Sequence, residues 1–178
     1  STGRHLAHAT LVATVSCALA VVRYRAWDRS FSVPLATAGT DHLYIASVVR
    51  CLRETGWYFT NPRLGAPFSQ QLYDFPHGGE TWQLLIVRGL SVFTDSPGLL
   101  MNVYFFTGIG VTTAAAHVAL RHLRFRAGTA LVAALALAWL PFRLGHGQYH
   151  LWRTSFWWVP LSIVVVLWTL HWRERFLI

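Results

Sequence analysis

Apolar residues crowd four stretches of the chain, 6–22, 98–120, 127–142 and 155–172, and one long polar interval, 23–97, separates the first from the second. A helix rises about 1.5 Å per residue, so a stretch of roughly 20 apolar residues crosses the ~30 Å of a bilayer's hydrocarbon. The first stretch interleaves Leu and Val with Ala7, Ala9, Ala13, Ser16, Ala18 and Ala20. A signal peptide is the rival reading, but the run passes straight into Arg23, Tyr24 and Arg25 with no small-residue cleavage site, which favours a retained transmembrane helix. The third stretch is short and ends at Pro141. The fourth has Val164, Val165 and Val166 at its centre, Trp157, Trp158, Trp168 and Trp172 near its ends, and Pro160 in its first turns, where a kink is expected.

Inside the long interval, Ile45, Val48, Val49 and Leu52 recur at the i, i+3, i+4, i+7 spacing of an amphipathic helix, with Arg50, Arg53 and Glu54 opposite. That predicts a helix over 41–55, stopped by Gly56. Trp82, Leu85, Ile86, Gly89, Leu90 and Phe93 repeat the template over 80–94. Both helices read as lying in the membrane interface with the apolar face down. Residues 61–76 between them are punctuated by Pro and Gly and rich in aromatic groups. The expected fold is an all-α membrane protein in one module, with four transmembrane helices and two interfacial helices in a long first extracytoplasmic loop.

Composition narrows the class further. Of 178 residues, 54% are hydrophobic, 15% aromatic and 12% charged, about half the charged share of a soluble domain. A disordered chain, a collagen and a disulfide scaffold are excluded on the same grounds. The net charge is +8 and all 15 cations are Arg, scattered beside apolar segments and not gathered on one polar face. That distribution argues against nucleic acid and for anionic lipid headgroups as the partner. Cys17 lies in an apolar run and Cys51 in a polar one, so both read as structural thiols. Grouping Arg4, Arg121, Arg124, Arg126, Arg173 and Arg175 on one side puts both termini in the cytoplasm; Arg23, Arg25 and Arg29 fall on the other side, in a translocated loop long enough to be exempt. The abrupt end at Ile178 suggests the front of a longer protein.

Acids are few, namely Asp28, Asp41, Glu54, Asp74, Glu80, Asp95 and Glu174. Asp41 opens the first interfacial helix, where a first-turn acid complements the macrodipole, and the same carboxylate could act as general base on an acceptor hydroxyl or bind a divalent cation. Asp74, between Tyr73 and Phe75, is either a turn former or a hydrogen-bonding partner for a sugar whose ring stacks on the aromatics. A third cluster occupies 143–153, with Arg143, His146, His150 and Arg153. Two His four apart would suit a metal on a helix, but Gly145 and Gly147 weaken that helix and no third ligand accompanies the pair, so zinc is disfavoured. An anion-binding loop for a lipid-linked phosphate and simple headgroup anchoring both remain open there. Asn102 and His117 are polar groups within the second span, expected to hydrogen-bond between helices. No Walker loop, dinucleotide fingerprint or serine nucleophile elbow is present.

The run from Gly56-Trp57 through Asn61-Pro62, Gly65-Ala66-Pro67-Phe68 and Tyr73-Asp74-Phe75-Pro76, then Pro141-Phe142-Arg143, His146 and His150-Leu151, resembles the amino-terminal part of bacterial GT-C superfamily integral-membrane glycosyltransferases. The resemblance implies a bacterial plasma-membrane enzyme that takes a sugar from a polyprenyl-phosphate donor and transfers it by direct displacement at the extracytoplasmic face. It implies Asp41 as catalytic base or ligand of a divalent cation such as Mg or Mn, and Arg143, Arg153 or Arg63 as partners of the donor phosphate. Asp74, Tyr73, His146 and His150 complete the candidate substrate-binding set. The alternative is a non-catalytic membrane subunit that packs in a larger membrane complex through its small-residue helices. A transporter is weaker, since no acid lies mid-span.

Overall fold

The computed structural model describes residues 2–28, 30–35, 40–73 and 81–176. They are mostly helical, in the order α1 (Thr2–Arg23), α2 (Thr40–Thr55), a short strand pair β1 (Thr60–Asn61) and β2 (Gln70–Gln71), α3 (Thr81–Leu90), α4 (Pro97–His122), α5 (Ala127–Ala138), α6 (Pro141–His146) and α7 (Trp158–Phe176). Three helical stretches are long and apolar enough to cross a membrane: Leu6–Arg23, Pro97–His122 and Ala127–His146. Trp158–Leu170 is a shorter apolar helix. The single module expected from sequence divides into two compact units, one of Ser1–Tyr24, Phe106–Gly145 and Ser155–Ile178, the other of Arg25–Phe105 and His146–Thr154.

Local chemistry sets the helix ends. At the start of α4, the Ser96 hydroxyl accepts the Leu99 N–H at 3.2 Å, the Ser96 carbonyl accepts the Leu100 N–H at 3.0 Å, and Pro97 fills the first helical position, where its missing N–H costs nothing. Between α5 and α6 the break falls just before Pro141, because a residue preceding proline is pushed away from helical backbone. The backbone at Pro160 obeys a related rule. Helix α7 begins at Trp158, later than the sequence pattern suggests, so Pro160 sits in the first turn, where no helical N–H is required. Helix α3 stops at Leu90, short of the expected 94, because the chain tightens into turns in which Val92 and Phe93 donate to the carbonyls of Gly89 and Leu90.

The first unit has the polarity of a structure solvated by lipid. Along α1, Leu6, Leu11, Val15, Leu19 and Val22 are exposed, whereas Ala9, Val12, Ser16 and Ala20 are buried. In α5 the buried positions are Ala130, Ala134 and Ala138, and Leu131 and Val132 face outward. Large aliphatics outside with small residues inside lets helix backbones approach closely where there is no hydrophobic drive between helices. The contact of α1 with α4 turns on Gly110: a Cβ there would meet the Cys17 Sγ at 2.5 Å and the Ala13 carbonyl oxygen at 3.2 Å. Beside it, the buried Ser16 hydroxyl oxygen accepts the Thr113 hydroxyl at 2.8 Å and the Trp139 indole N–H at 3.0 Å, joining α1, α4 and the end of α5.

In the second unit the two amphipathic helices behave differently. The apolar face of α2 is not turned to a membrane. Ile45, Val48, Val49 and Leu52 are buried in protein, against α3 and β1 among other neighbours. An apolar stripe records only that a face leaves water, and here protein is what covers it. On α3 the buried residues are Gln83, Leu84 and Val87, while Trp82, Leu85 and Ile86 of the predicted stripe, with Phe93 beyond the helix end, are exposed.

Gly110→Ala is expected to destabilise the fold by about 1–3 kcal/mol through overpacking. Thermal unfolding in detergent checks this, and Cys17→Ala should restore part of the loss but not all, because the Ala13 carbonyl remains.

Candidate functional site

Helix α2 begins at Thr40 and carries Asp41 in its first turn, with the carboxylate 56% exposed. Its Oδ2 lies 3.1 Å from Nδ1 of His150, a residue 109 positions further along the chain and 30% exposed. Nδ1 is placed to donate to the carboxylate, which orients the ring. The ring of His146 stands beside it, centroids 5.1 Å apart. Asp41 and the pair His146 and His150, singled out in the sequence on separate grounds, thus form one cluster. His42, next to Asp41, is buried, its Nδ1 has no hydrogen-bond partner, and burial pushes its pKa down, so it is a neutral neighbour.

What brings His150 to Asp41 is a buried amide pair. The Asn102 side chain on α4 donates through Nδ2 to the carbonyls of Phe31 at 2.6 Å and Val33 at 2.9 Å. Its Oδ1 accepts from Gln148 Nε2 at 2.6 Å, and Gln148 Oε1 accepts the Leu35 N–H at 2.7 Å. Both amides are almost wholly buried. Leu151 and Trp152 anchor the same segment, the indole lying edge-on to Tyr104 at 5.5 Å, and the Thr154 hydroxyl donates to the Leu151 carbonyl at 2.9 Å. Asn102 was expected to bond another helix. Its partners are instead loop carbonyls and a glutamine, because its position, one turn into α4, faces chain segments and not a second span.

Other candidates lie elsewhere. Tyr73 is exposed beyond β2, its hydroxyl 3.1 Å from that of Thr60 and its ring 5.3 Å from Phe59. Asp74 lies outside the described residues. Arg63 follows β1 in a tight loop in which the Asn61 side-chain oxygen accepts the Arg63 N–H at 3.1 Å, and Gly65, at φ +72° and close against the Gln70 backbone, admits no side chain. Arg143 does not join an anion-binding loop. It is buried in the other unit, where Nη2 donates to the Thr112 hydroxyl at 3.0 Å, Nη1 to the Ala138 carbonyl at 3.3 Å, and the guanidinium lies 4.4 Å from the Phe156 ring. Arg153 is exposed and pairs with no acid among the described residues. No group of three His, Cys, Asp or Glu side chains among the described residues converges to hold a metal ion. Among the described residues Asp41 brings one carboxylate, one oxygen of which faces His150, and no set of three donors forms around it for the divalent cation that the resemblance implies.

Sequence reasoning gave no role to Gln148, Arg50 or Glu54. Glu54, in the last turn of α2, accepts Arg50 Nε at 2.9 Å and Arg63 Nε at 2.6 Å. Those two guanidinium groups hold its carboxyl below the usual carboxylate range. The i, i+4 spacing of Arg50 and Glu54 is legible in sequence, whereas the link to Arg63 depends on the strand pair.

Compared with protein-family models, curated proteins and solved structures, the chain matches none.

Two outcomes follow. Asn102→Leu should cost about 2–4 kcal/mol, since it removes three interior hydrogen bonds, two to the Phe31 and Val33 carbonyls and one from Gln148 Nε2; chemical denaturation and the accessibility of His150 to diethyl pyrocarbonate check it. For Glu54, a depressed pKa in the folded state means a stabilising contribution that is complete above the unfolded carboxylate pKa and is lost as pH falls through the folded value. The melting-temperature gap between the wild type and Glu54→Gln should therefore be widest near neutrality and shrink below about pH 4.

Proposed function

We propose that this chain is a membrane glycosyltransferase that moves a sugar from a polyprenyl-phosphate donor to an acceptor hydroxyl at the extracytoplasmic face. The observation that carries the reading is the 3.1 Å contact between the exposed Asp41 carboxylate and His150. An exposed carboxylate oriented through one oxygen by an imidazole is suited to remove a proton from a hydroxyl nucleophile. In the step proposed, the acceptor O–H proton passes to Asp41, the acceptor oxygen bonds to the anomeric carbon, and the carbon–oxygen bond to phosphate breaks, releasing polyprenyl phosphate. His150 is the positioning residue. Arg153, three residues further on, is the exposed cation available to the leaving phosphate, where negative charge grows in the transition state.

The membrane setting rests on the apolar stretches and on their outward aliphatic faces. We count α7 as the fourth crossing, its 19 residues rising about 28 Å, which returns both termini to the cytoplasmic side. The exposed Trp82, Leu85, Ile86, Val92 and Phe93 in and after α3 suit the lipid interface that sequence assigned to both amphipathic helices.

Asp41→Asn should lower turnover of polyprenyl-phosphate sugars by about 10²–10⁴-fold, with helix content and melting temperature unchanged. His150→Ala should lower it less, with kcat falling and KM little changed. Full activity in Asp41→Asn would overturn the role given to Asp41, and a wild-type chain without turnover would favour the non-catalytic subunit.

A further inference from the structure

At the far end of α2 from Asp41, a cleft of about 330 Å³ is lined by Ala46, Ser47, Arg50, Cys51, Glu54, Asn61, Arg63, Leu64 and Pro97. Its charges are arranged in an unusual way. Arg50 and Arg63 each spend only Nε on Glu54, one on each carboxylate oxygen, and no other hydrogen bond engages either guanidinium among the described residues. Both side chains stay more than half exposed, at 54% and 60%, so two sets of terminal N–H donors are fixed in direction yet open to the cleft. Arg53, on the same turn of helix, is neutralised by Asp95.

We propose that this cleft binds a phosphate group carrying one negative charge, of the kind found in phosphodiester headgroups. Two guanidinium forks meeting around one carboxylate leave the cluster at a net charge of +1, which one monoanion balances. A tetrahedral phosphodiester has two non-bridging oxygens that share its charge, one for each fork. Glu54 supplies the orientation: it engages each arginine at the atom nearest the stem and leaves the outer edge free.

The site is separate from the one that releases the donor phosphate. Asp41 and Glu54 occupy the first and last turns of a 16-residue helix, about 20 Å apart along its axis. A phosphate attached directly to the anomeric carbon reacting at Asp41 cannot reach that far. The cleft therefore takes a second phosphate, from a membrane lipid headgroup or from a free phosphate compound, and its occupation does not depend on sugar transfer.

The test uses the full chain in nanodiscs of phosphatidylcholine alone or with phosphatidylglycerol, and inorganic phosphate at pH 6 as the free probe, read by native mass spectrometry and calorimetry. The variants are Arg50→Gln with Arg63→Gln, Arg50→Lys with Arg63→Lys, and Arg88→Gln as an exposed control. We expect retained phosphatidylglycerol or bound phosphate to fall at least tenfold in the glutamine pair, to fall by a smaller factor in the lysine pair, which keeps the charge and loses the forks, and to be unchanged in Arg88→Gln. Retention of phosphatidylglycerol without inorganic phosphate binding identifies a lipid headgroup as the source, and saturable phosphate binding identifies a free compound. Equal binding by the glutamine pair and the wild type, or equal losses in all three variants, overturns the proposal and leaves the cluster a strut between α2 and the strand pair.

Discussion

Asn102 and Gln148 form the contact on which the second unit depends. Each is a primary amide with two donors and an acceptor, and in the interior each unmet group costs about 1–3 kcal/mol. The pair meets most of those demands with three backbone groups of residues 31–35, which belong to no helix or strand and have no ladder of their own to join. One hydrogen-bonded relay thereby ties down the chain after α1, the start of α4 and segment 146–154. Gln148 is two residues from His150, so the relay also determines where the imidazole meets Asp41. A structural knot and a chemical site share one short segment.

The first unit uses a different device. Ser16 accepts from Thr113 and Trp139, a polar junction set among Ala13, Cys17 and Gly110, which are small enough for α1 and α4 to touch. Burying small and polar groups while exposing leucine and valine reverses the arrangement of a soluble bundle, in which the apolar face would be hidden from water. The same logic explains Arg143. A guanidinium inside a helix unit is tolerated when its donors find a hydroxyl and a carbonyl and its face finds an aromatic ring, as they do at Thr112, Ala138 and Phe156. Its place beside His146, His150 and Arg153 in the sequence, and the family resemblance, made that residue look like a ligand for phosphate.

Periodicity made the helices readable, and capping made some of their ends readable. Asp41 and Gly56 bracket α2, the acid through its charge at the positive end of the helix and the glycine through its backbone at φ +90°. Three features were not legible, each for want of long-range information. The stripes of α2 and α3 have one period, yet one is covered by protein and the other exposed, and a stripe does not say what covers it. The strands β1 and β2 are two residues each, too short to set up an alternation. The meeting of Asp41 with His150 required segment 146–154 to dock on the long loop, through an amide pair separated by 46 residues. Sequence could nominate both groups, since an acid opening a helix and histidines in a glycine-broken loop are chemically conspicuous, but it could not pair them.

Helix α2 shows why the chemistry concentrates where it does. Its dipole favours an acid at the first turn and a cation at the last, so Asp41 and Arg53 sit where their charges stabilise the helix. Glu54 runs against this pattern, a carboxylate in the last turn facing the negative end of the dipole. It stays ionised because Arg50 and Arg63 each donate to one of its oxygens. A helix that needed only a stable C-terminus would do better with the arginines alone. The acid makes sense as a brace that holds two guanidinium groups in one cleft, and this is the physical reason to see more than a surface ion pair at that end of the helix.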